Sequence, residues 1–180
     1  MSRLRRSGML LAVIVTAAAM STAAPAASAK TVRVQLDGFQ EVPQAIATDG
    51  EGRFRASIER DQIEFRLNYA GLASAVIGAH IHFGRQAING GIIVFFCQDR
   101  DSPLGPPPAG VPECPDGDQE ITGTITAAEV VGPDGQGIAP GEFDKLLEAI
   151  RAGATYVNVH TLDRPTGEIR GQVDGHRRHF

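Results

Sequence analysis

The sequence predicts an all-β domain, either an antiparallel Greek-key β-sandwich or a flattened barrel of about eight strands, with one short helix. Two observations support this fold class. Short segments in which apolar and polar residues alternate recur between turn residues, which is typical of strands with one buried face. After residue 29, apolar residues occur at helical spacing convincingly in only one segment.

Residues 1–29 have the pattern of an export signal and are set apart from the fold. A positive start, an uncharged apolar stretch and a small-residue cleavage motif follow one another: Arg3, Arg5 and Arg6, then residues 10–19, then Ala27-Ser28-Ala29. The apolar stretch is too short to make a good membrane-spanning helix. We therefore expect a protein secreted to the periplasm or the extracellular space, with no membrane span after the signal is removed.

The chain that follows this signal is acidic. The full sequence has 17 Lys and Arg against 21 Asp and Glu, and removing the three signal arginines leaves 14 against 21, a formal net charge of −7. Phosphate backbones and anionic lipids repel such a chain. We expect no nucleic-acid partner, and instead an unidentified protein or extracellular ligand.

Three alternating segments predict the first strands, at residues 31–36, 52–58 and 62–69, and the fourth strand is predicted over residues 76–83. Residues 59–61 are few enough for a tight hairpin connection between the second and third strands. In the third strand, the side chains expected to face the core are Ile63, Phe65, Leu67 and Tyr69, and those expected to face water are Glu64, Arg66 and Asn68.

The predicted fifth strand, residues 91–97, contains the unbroken apolar run 92–96, which indicates burial on both faces or cover by a loop. A proline-rich loop follows at residues 99–118. The sixth strand is predicted over residues 120–126. Thr126 and Glu129 then have the spacing of a capping box that opens a short helical turn.

The one convincing helix is predicted over residues 142–152. Its apolar stripe, which should pack on the sheet, consists of Phe143, Leu146, Leu147 and Ile150, and Gly153 is placed to end it. Residues 156–160 and 168–173 complete the fold as a pair of strands. The β domain is thus expected to span residues 30–175, and residues 176–180 are expected to be a disordered tail.

The two cysteines, Cys97 and Cys114, flank the proline-rich segment. An exported protein with an even number of cysteines usually oxidises them, so we expect a disulfide. Metal ligation by this pair is the less favoured interpretation, because sixteen intervening residues do not match a metal-site spacing.

Three histidines lie in predicted strands, His80 and His82 in one and His160 in another. Residues i and i+2 of a strand project to the same face, so two imidazoles can reach one ion, and a third from a neighbouring strand would suit copper or zinc. A fourth imidazole would have to come from the tail, from His176 or His179. The alternative is structural, since strand histidines also hydrogen-bond to neighbouring carbonyls.

Other chemistry has little support in the sequence. Glu168 and Arg170 alternate along one strand and could orient a ligand or pair with charges on adjacent strands. The chain has no G-x-S-x-G elbow, no cysteine expected to be free, and no P-loop or dinucleotide fingerprint. No catalytic residue is predicted.

Five spaced motifs together resemble the CHRD domain, the module named from chordin. They are Leu36-Asp-Gly-Phe-Gln-Glu-Val-Pro43, Gly78-Ala-His-Ile-His-Phe-Gly84, Asn89-Gly-Gly91, Ala152-Gly-Ala-Thr-Tyr-Val-Asn-Val-His-Thr161 and Pro165-Thr-Gly-Glu-Ile-Arg-Gly-Gln172. The resemblance covers residues 32–173 and is to the form found singly in bacterial exported proteins. In animals the domain occurs in an extracellular antagonist of a growth factor. The resemblance therefore implies an exported β-rich module and no particular reaction.

A weaker similarity is to copper–zinc superoxide dismutase, a Greek-key barrel with an H-V-H strand and a later strand that ends in V-H. By position, His80 and His82 resemble its first two copper ligands, His160 its last, and Arg170 its substrate-guiding arginine. The bridging histidine and the remaining zinc ligands have no counterpart between His82 and His160. The similarity thus implies at most a mononuclear three-histidine site.

Two hypotheses follow. In the first, the chain is a non-enzymatic exported binding or interaction module, and its strand histidines are structural. In the second, His80, His82 and His160 bind one copper or zinc ion, and a dismutase-like enzyme is a further version of this hypothesis. We expect the first, and expect the protein not to be an enzyme.

Overall fold

The structure is a computed structural model that describes residues 30–115 and 117–173. The predicted export signal, residues 1–29, and the predicted tail, residues 176–180, lie outside the described residues. His176 and His179 therefore lie outside them as well.

Eight antiparallel strands and one α-helix make up the described chain, which confirms the predicted fold class. In chain order they are β1 (Lys30–Asp37), β2 (Glu51–Ile58), β3 (Ile63–Ala70), β4 (Val76–Phe83), β5 (Ile92–Gln98), β6 (Gln119–Ile125), α1 (Phe143–Arg151), β7 (Thr155–Thr161) and β8 (Ile169–Val173). No helix among these residues is long and apolar enough to cross a membrane.

The strands form one sheet in the order β5-β4-β7-β8-β1-β2-β3-β6. Consecutive strands pair in β1, β2 and β3, whereas β7 pairs with β4 and β8 connects β7 to β1. The end strands β5 and β6 approach each other, so the sheet is nearly closed into a barrel. Across its interior, the ring of Phe96 in β5 packs on that of Phe65 in β3 at a centroid distance of 4.5 Å.

The alternation of β1, β2 and β3 directs one face of each strand into the barrel. The predicted inward face of β3 is confirmed, because Ile63, Leu67 and Tyr69 are buried and Phe65 is packed against the core. The core also takes alternate residues of the two neighbouring strands, namely Val32, Val34, Leu36, Phe54 and Ala56. These strands therefore show the side-chain period of two that their sequences predict.

Helix α1 closes the core through its predicted stripe. Phe143, Leu146, Leu147 and Ile150 are all buried, and Ile150 lines a small cavity together with Val32, Phe54 and Ile81. The helix is one residue shorter at each end than predicted, because Glu142 and Ala152 are its capping residues. The capping box is confirmed: Thr126 and Glu129 bond reciprocally around a single 3₁₀ turn, Ala127–Glu129.

Strands β4 and β7 are buried on both faces, unlike β1, β2 and β3. Their inward side chains, among them Ala79, Ile81, Val157 and Val159, belong to the core. The other face carries His80 and His82 on β4, and Tyr156, Asn158 and His160 on β7. Burial of this polar outer face under loops gives the structure its candidate functional site.

The predicted disulfide is present between Cys97, in β5, and Cys114. It closes the disulfide loop, residues 99–113, which carries five prolines and no regular secondary structure. Backbone bonding adds to the covalent link, since the Gln98 N–H donates to the Pro112 carbonyl at 2.9 Å. The loop is thus fixed against the end of β5.

Replacing both Cys97 and Cys114 by Ser should lower the free energy of unfolding by about 3 kcal/mol, because the bond closes a short loop in the unfolded chain. Urea unfolding of the variant and of the wild type measures this difference. Wild type kept in a reductant serves as the control and should match the variant. Equal stability of oxidised wild type and variant would contradict the prediction.

Candidate metal centre

The three strand histidines form one buried cluster. His80 and His82 share the outer face of β4, and β7 pairs with β4 in the register that sets His160 opposite Gly78. The exposed fractions of the three residues are 0%, 8% and 5% in chain order. One ring nitrogen from each lies within 4.8 Å of the others. The structure therefore brings together the histidines that the sequence analysis selected.

Each imidazole is bonded through one nitrogen to an oxygen supplied by a different part of the chain: the end of β5, the loop between β4 and β5, and the turn before β8. The pairs are His80 Nε2 with Gln98 Oε1 at 2.7 Å, His82 Nδ1 with Gly90 O at 3.0 Å, and His160 Nδ1 with Pro165 O at 3.0 Å. Each of these oxygens can only accept, so the bonded nitrogen carries the proton. The bonds thus fix one tautomer for every ring.

The second nitrogen of each ring carries the lone pair. These atoms, His80 Nδ1, His82 Nε2 and His160 Nε2, are buried and have no hydrogen-bond partner among the described residues. A buried polar atom without a partner is uncommon and usually has a specific cause. Unprotonated imidazole nitrogens fixed by a hydrogen bond on the far side of the ring are the usual form of a histidine metal ligand.

Burial keeps the three rings neutral. It lowers the pKa of His82 to about 3 and that of His160 to about 4, and it holds the pKa of His80 well below its usual value. The proximity of His160 lowers the pKa values of His80 and His82 further, because neighbouring imidazolium charges would repel. At neutral pH the cluster therefore presents lone pairs and not protons.

Arg170 braces the loop that orients His82. Its guanidinium donates to Asn89 Oδ1 at 3.1 Å and to the carbonyls of Arg85 and Ile88 at 3.2 and 2.9 Å. All three acceptors belong to the β4–β5 loop, residues 84–91, which also supplies the carbonyl bonded to His82. With 2% of its surface exposed, Arg170 contacts the protein rather than solvent.

The ring of Tyr156 lies between this arginine and the cluster. His82 stacks on it with a centroid distance of 4.8 Å, and the guanidinium carbon of Arg170 lies 3.4 Å from the ring centroid. Because β7 separates β4 from β8, the two contacts come from opposite sides of the phenol. The Tyr156 hydroxyl also accepts from the Gly90 N–H at 3.2 Å. Tyr156 thus positions both the ring and the loop of His82.

Glu168, the other predicted ligand-orienting residue, is fully buried just before β8. Its carboxylate accepts from the Thr48 and Thr161 hydroxyls at 2.6 and 2.7 Å and from the Ala73 N–H at 2.9 Å. These bonds connect the end of β7 to two loops. A direct contact of Glu168 or Arg170 with a ligand remains a prediction.

Glu41 forms a second buried carboxyl site on the same outer face. Its Oε1 accepts from Asn158 Nδ2 at 2.5 Å, and Asn158 also donates to the Ile169 carbonyl. Burial raises the pKa of Glu41 to about 7, although the bond from Asn158 and the charge of Arg170 act in the opposite direction. Burial thus lets the Glu41 carboxyl hold its proton close to neutral pH.

Two glycines allow the close approach of backbone to this cluster. A β carbon on Gly90 would lie 1.7 Å from the Phe83 carbonyl oxygen, so no side chain fits there. A β carbon on Gly78 would lie 2.9 Å from Cε1 of His80. Side chains at these positions would displace the loop or the imidazole that they touch.

Sequence reasoning does not identify the residues that orient the histidines. Gln98 is a lone polar residue at the end of an apolar strand, which is the one available signal for a buried side-chain hydrogen bond. Gly90 and Pro165 accept these bonds through their backbone carbonyls, and because every residue has a backbone carbonyl, the residue type does not predict such a contact. The sequence favours a solvated loop charge at Glu41, because a carboxyl in a turn-rich segment is usually exposed, whereas the structure buries it.

Comparison with protein families finds a match between residues 32–173 and the family model described as CHRD domain. No curated protein and no solved structure matches the chain.

Replacing Glu41 by Gln should change the pH dependence of stability. In the unfolded chain this carboxyl ionises near its ordinary pKa of 4.5, whereas in the folded chain it keeps its proton up to about pH 7. The folded state thus binds the extra proton between these values, so the unfolding free energy of wild type falls as pH rises, by up to about 3 kcal/mol.

Urea unfolding of wild type and Glu41→Gln at several pH values from 4.5 to 8 measures the contribution of Glu41 to the pH dependence of the unfolding free energy. The stability of the variant relative to wild type should increase with pH across that range. Parallel stability curves for the two proteins would show that Glu41 does not hold a proton in the folded state.

Proposed function

The chain belongs to the CHRD domain family, and from this premise we propose that it is an exported, non-enzymatic module that binds one copper or zinc ion through His80, His82 and His160. One observation carries the proposal. Three imidazole nitrogens that hold lone pairs are buried within one histidine cluster and have no hydrogen-bond partner among the described residues, and each ring is oriented through its other nitrogen by a protein oxygen.

The interpretation that these histidines are structural explains only one of the two ring nitrogens of each residue. It accounts for the bonds to Gln98, Gly90 and Pro165, since buried imidazoles need partners. It does not account for the three nitrogens of the cluster that have no partner among the described residues, because each buried polar atom without a partner costs on the order of 1–3 kcal/mol. A bound metal ion would compensate all three at once.

Export is supported by two independent features. The Cys97–Cys114 disulfide is compatible with the periplasm or the extracellular space, where such bonds persist. The pattern of residues 1–29 is that of a secretory signal. Neither feature indicates a particular protein partner.

Binding is favoured over catalysis because of the burial of the cluster. A catalytic metal keeps a coordination position open to substrate, and an anionic substrate needs an accessible positive path. The ligating histidines are at most 8% exposed, and Arg170 is held by three oxygens of the β4–β5 loop. The geometry supports storage, transfer or structural use of the ion.

The test is the metal content of the protein exported with its own signal and purified without chelator or affinity tag, followed by titration with copper and zinc. Wild type should bind about one ion per chain. His160→Ala should reduce the affinity by more than the roughly 10–100-fold that loss of a ligand's hydrogen-bond partner costs, because a ligand itself is lost.

Thr155→Val is the matched control. Its hydroxyl is also buried, has no hydrogen-bond partner within the described ranges 30–115 and 117–173, and lies on the same strand as His160 but on the opposite face. This variant should bind metal like wild type. Unchanged binding in His160→Ala, or a wild type that binds neither metal, would rule out the proposed site.

A further inference from the structure

We propose that the His80–His82–His160 cluster selects Cu(I) over Cu(II) and Zn(II), an inference that rests on the proposed metal site. The argument depends on three features of the site: the charge of its ligands, their number and their fixed positions.

The ligand set supplies no negative charge. Histidine binds metals as neutral imidazole, and the cluster found among the described residues contains no carboxylate and no thiolate. The charge of the ion would therefore be buried without any neutralising ligand. The free-energy cost of burying an ion rises steeply with the magnitude of its charge. A monovalent ion is favoured over a divalent one for this reason.

The charged groups around the cluster do not offset this preference. Arg170 adds a positive charge behind the Tyr156 ring on which His82 stacks. The carboxyl of Glu41 is bonded to Asn158, and the carboxylate of Glu168 is engaged by two hydroxyls and a backbone N–H. Neither carboxyl group belongs to the ligand set.

The number of ligands also favours Cu(I). Zinc takes four ligands in structural sites, and in catalytic sites it adds water to three protein ligands. Cu(II) favours a tetragonal arrangement with nitrogen and oxygen ligands. Three imidazoles that are almost completely buried leave little access for the water that either divalent ion would add, whereas Cu(I) accepts a trigonal set.

The positions of the rings are suited to a trigonal ion after a small contraction. Metal–nitrogen bonds of about 2.0–2.1 Å place three trigonal nitrogens about 3.5 Å apart. One ring nitrogen of each histidine lies within 4.8 Å of the others, so the widest of these separations closes by about 1.3 Å at most. Because the far side of each ring is bonded to protein, the cluster resists the larger rearrangement that a tetragonal ion needs.

The experiment compares the affinities of the purified full-length protein for Cu(I), Cu(II) and Zn(II), each measured by competition with a chelator of known affinity. Cu(I) is measured without oxygen and with a reductant that leaves the disulfide intact. We expect wild type to bind Cu(I) at least about 100-fold more tightly than either divalent ion.

Gln98→Glu tests the charge argument. It is close in shape to the wild-type side chain but places a carboxylate against the Nε2 of His80. We expect the ratio of Cu(I) to Cu(II) affinity to fall about tenfold, which corresponds to a potential about 59 mV lower for this one-electron couple. Thr124→Glu adds the same charge on the exposed face of β6 and should leave the ratio unchanged.

The outcomes separate this inference from the proposed function. A wild type that binds none of the three ions overturns both. A wild type that binds Cu(II) or Zn(II) as tightly as Cu(I), with binding lost in His160→Ala, supports the metal site and overturns the selectivity. A ratio that stays the same in a folded Gln98→Glu variant overturns the proposed dependence on ligand charge.

Discussion

Burial of three imidazoles on the outer face of β4 and β7 is the constraint on which the rest of the structure depends. Most sheet faces of this barrel either enter the core or meet water, and their residues are apolar or polar accordingly. The outer face of β4 and β7 is polar and yet buried. Polar groups in such a place need partners, which must come from the chain segments that cover them.

Three different parts of the chain supply these partners, one for each ring. The end of β5, tied to the disulfide loop, orients His80 through Gln98, and the β4–β5 loop orients His82. The turn before β8 orients His160. The disulfide and the Arg170 guanidinium then hold two of these segments in place. Segments that are far apart in the sequence thus act together to fix the tautomers of three neighbouring imidazole rings.

The sequence predicts local structure well, because period-two and helical patterns reflect which side of an element is buried. The stripe of α1 and the inward face of β3 follow directly from residue spacing. The shared face of His80 and His82 follows from the same geometry. The approach of His160 does not, because it requires β7 to pair with β4 across more than seventy residues, and spacing carries no information about that pairing. The hydrogen bonds accepted by the backbone carbonyls of Gly90 and Pro165 cannot be predicted from residue type either.

The central claim is that one ion binds between His80 Nδ1, His82 Nε2 and His160 Nε2. A crystal structure of the copper-loaded protein, with anomalous diffraction recorded on both sides of the copper absorption edge, tests it most directly. The account predicts a single copper peak about 2.0 Å from each of these three nitrogens. A peak at other residues, or an ordered cluster without copper in a protein that carries it elsewhere, would contradict the account.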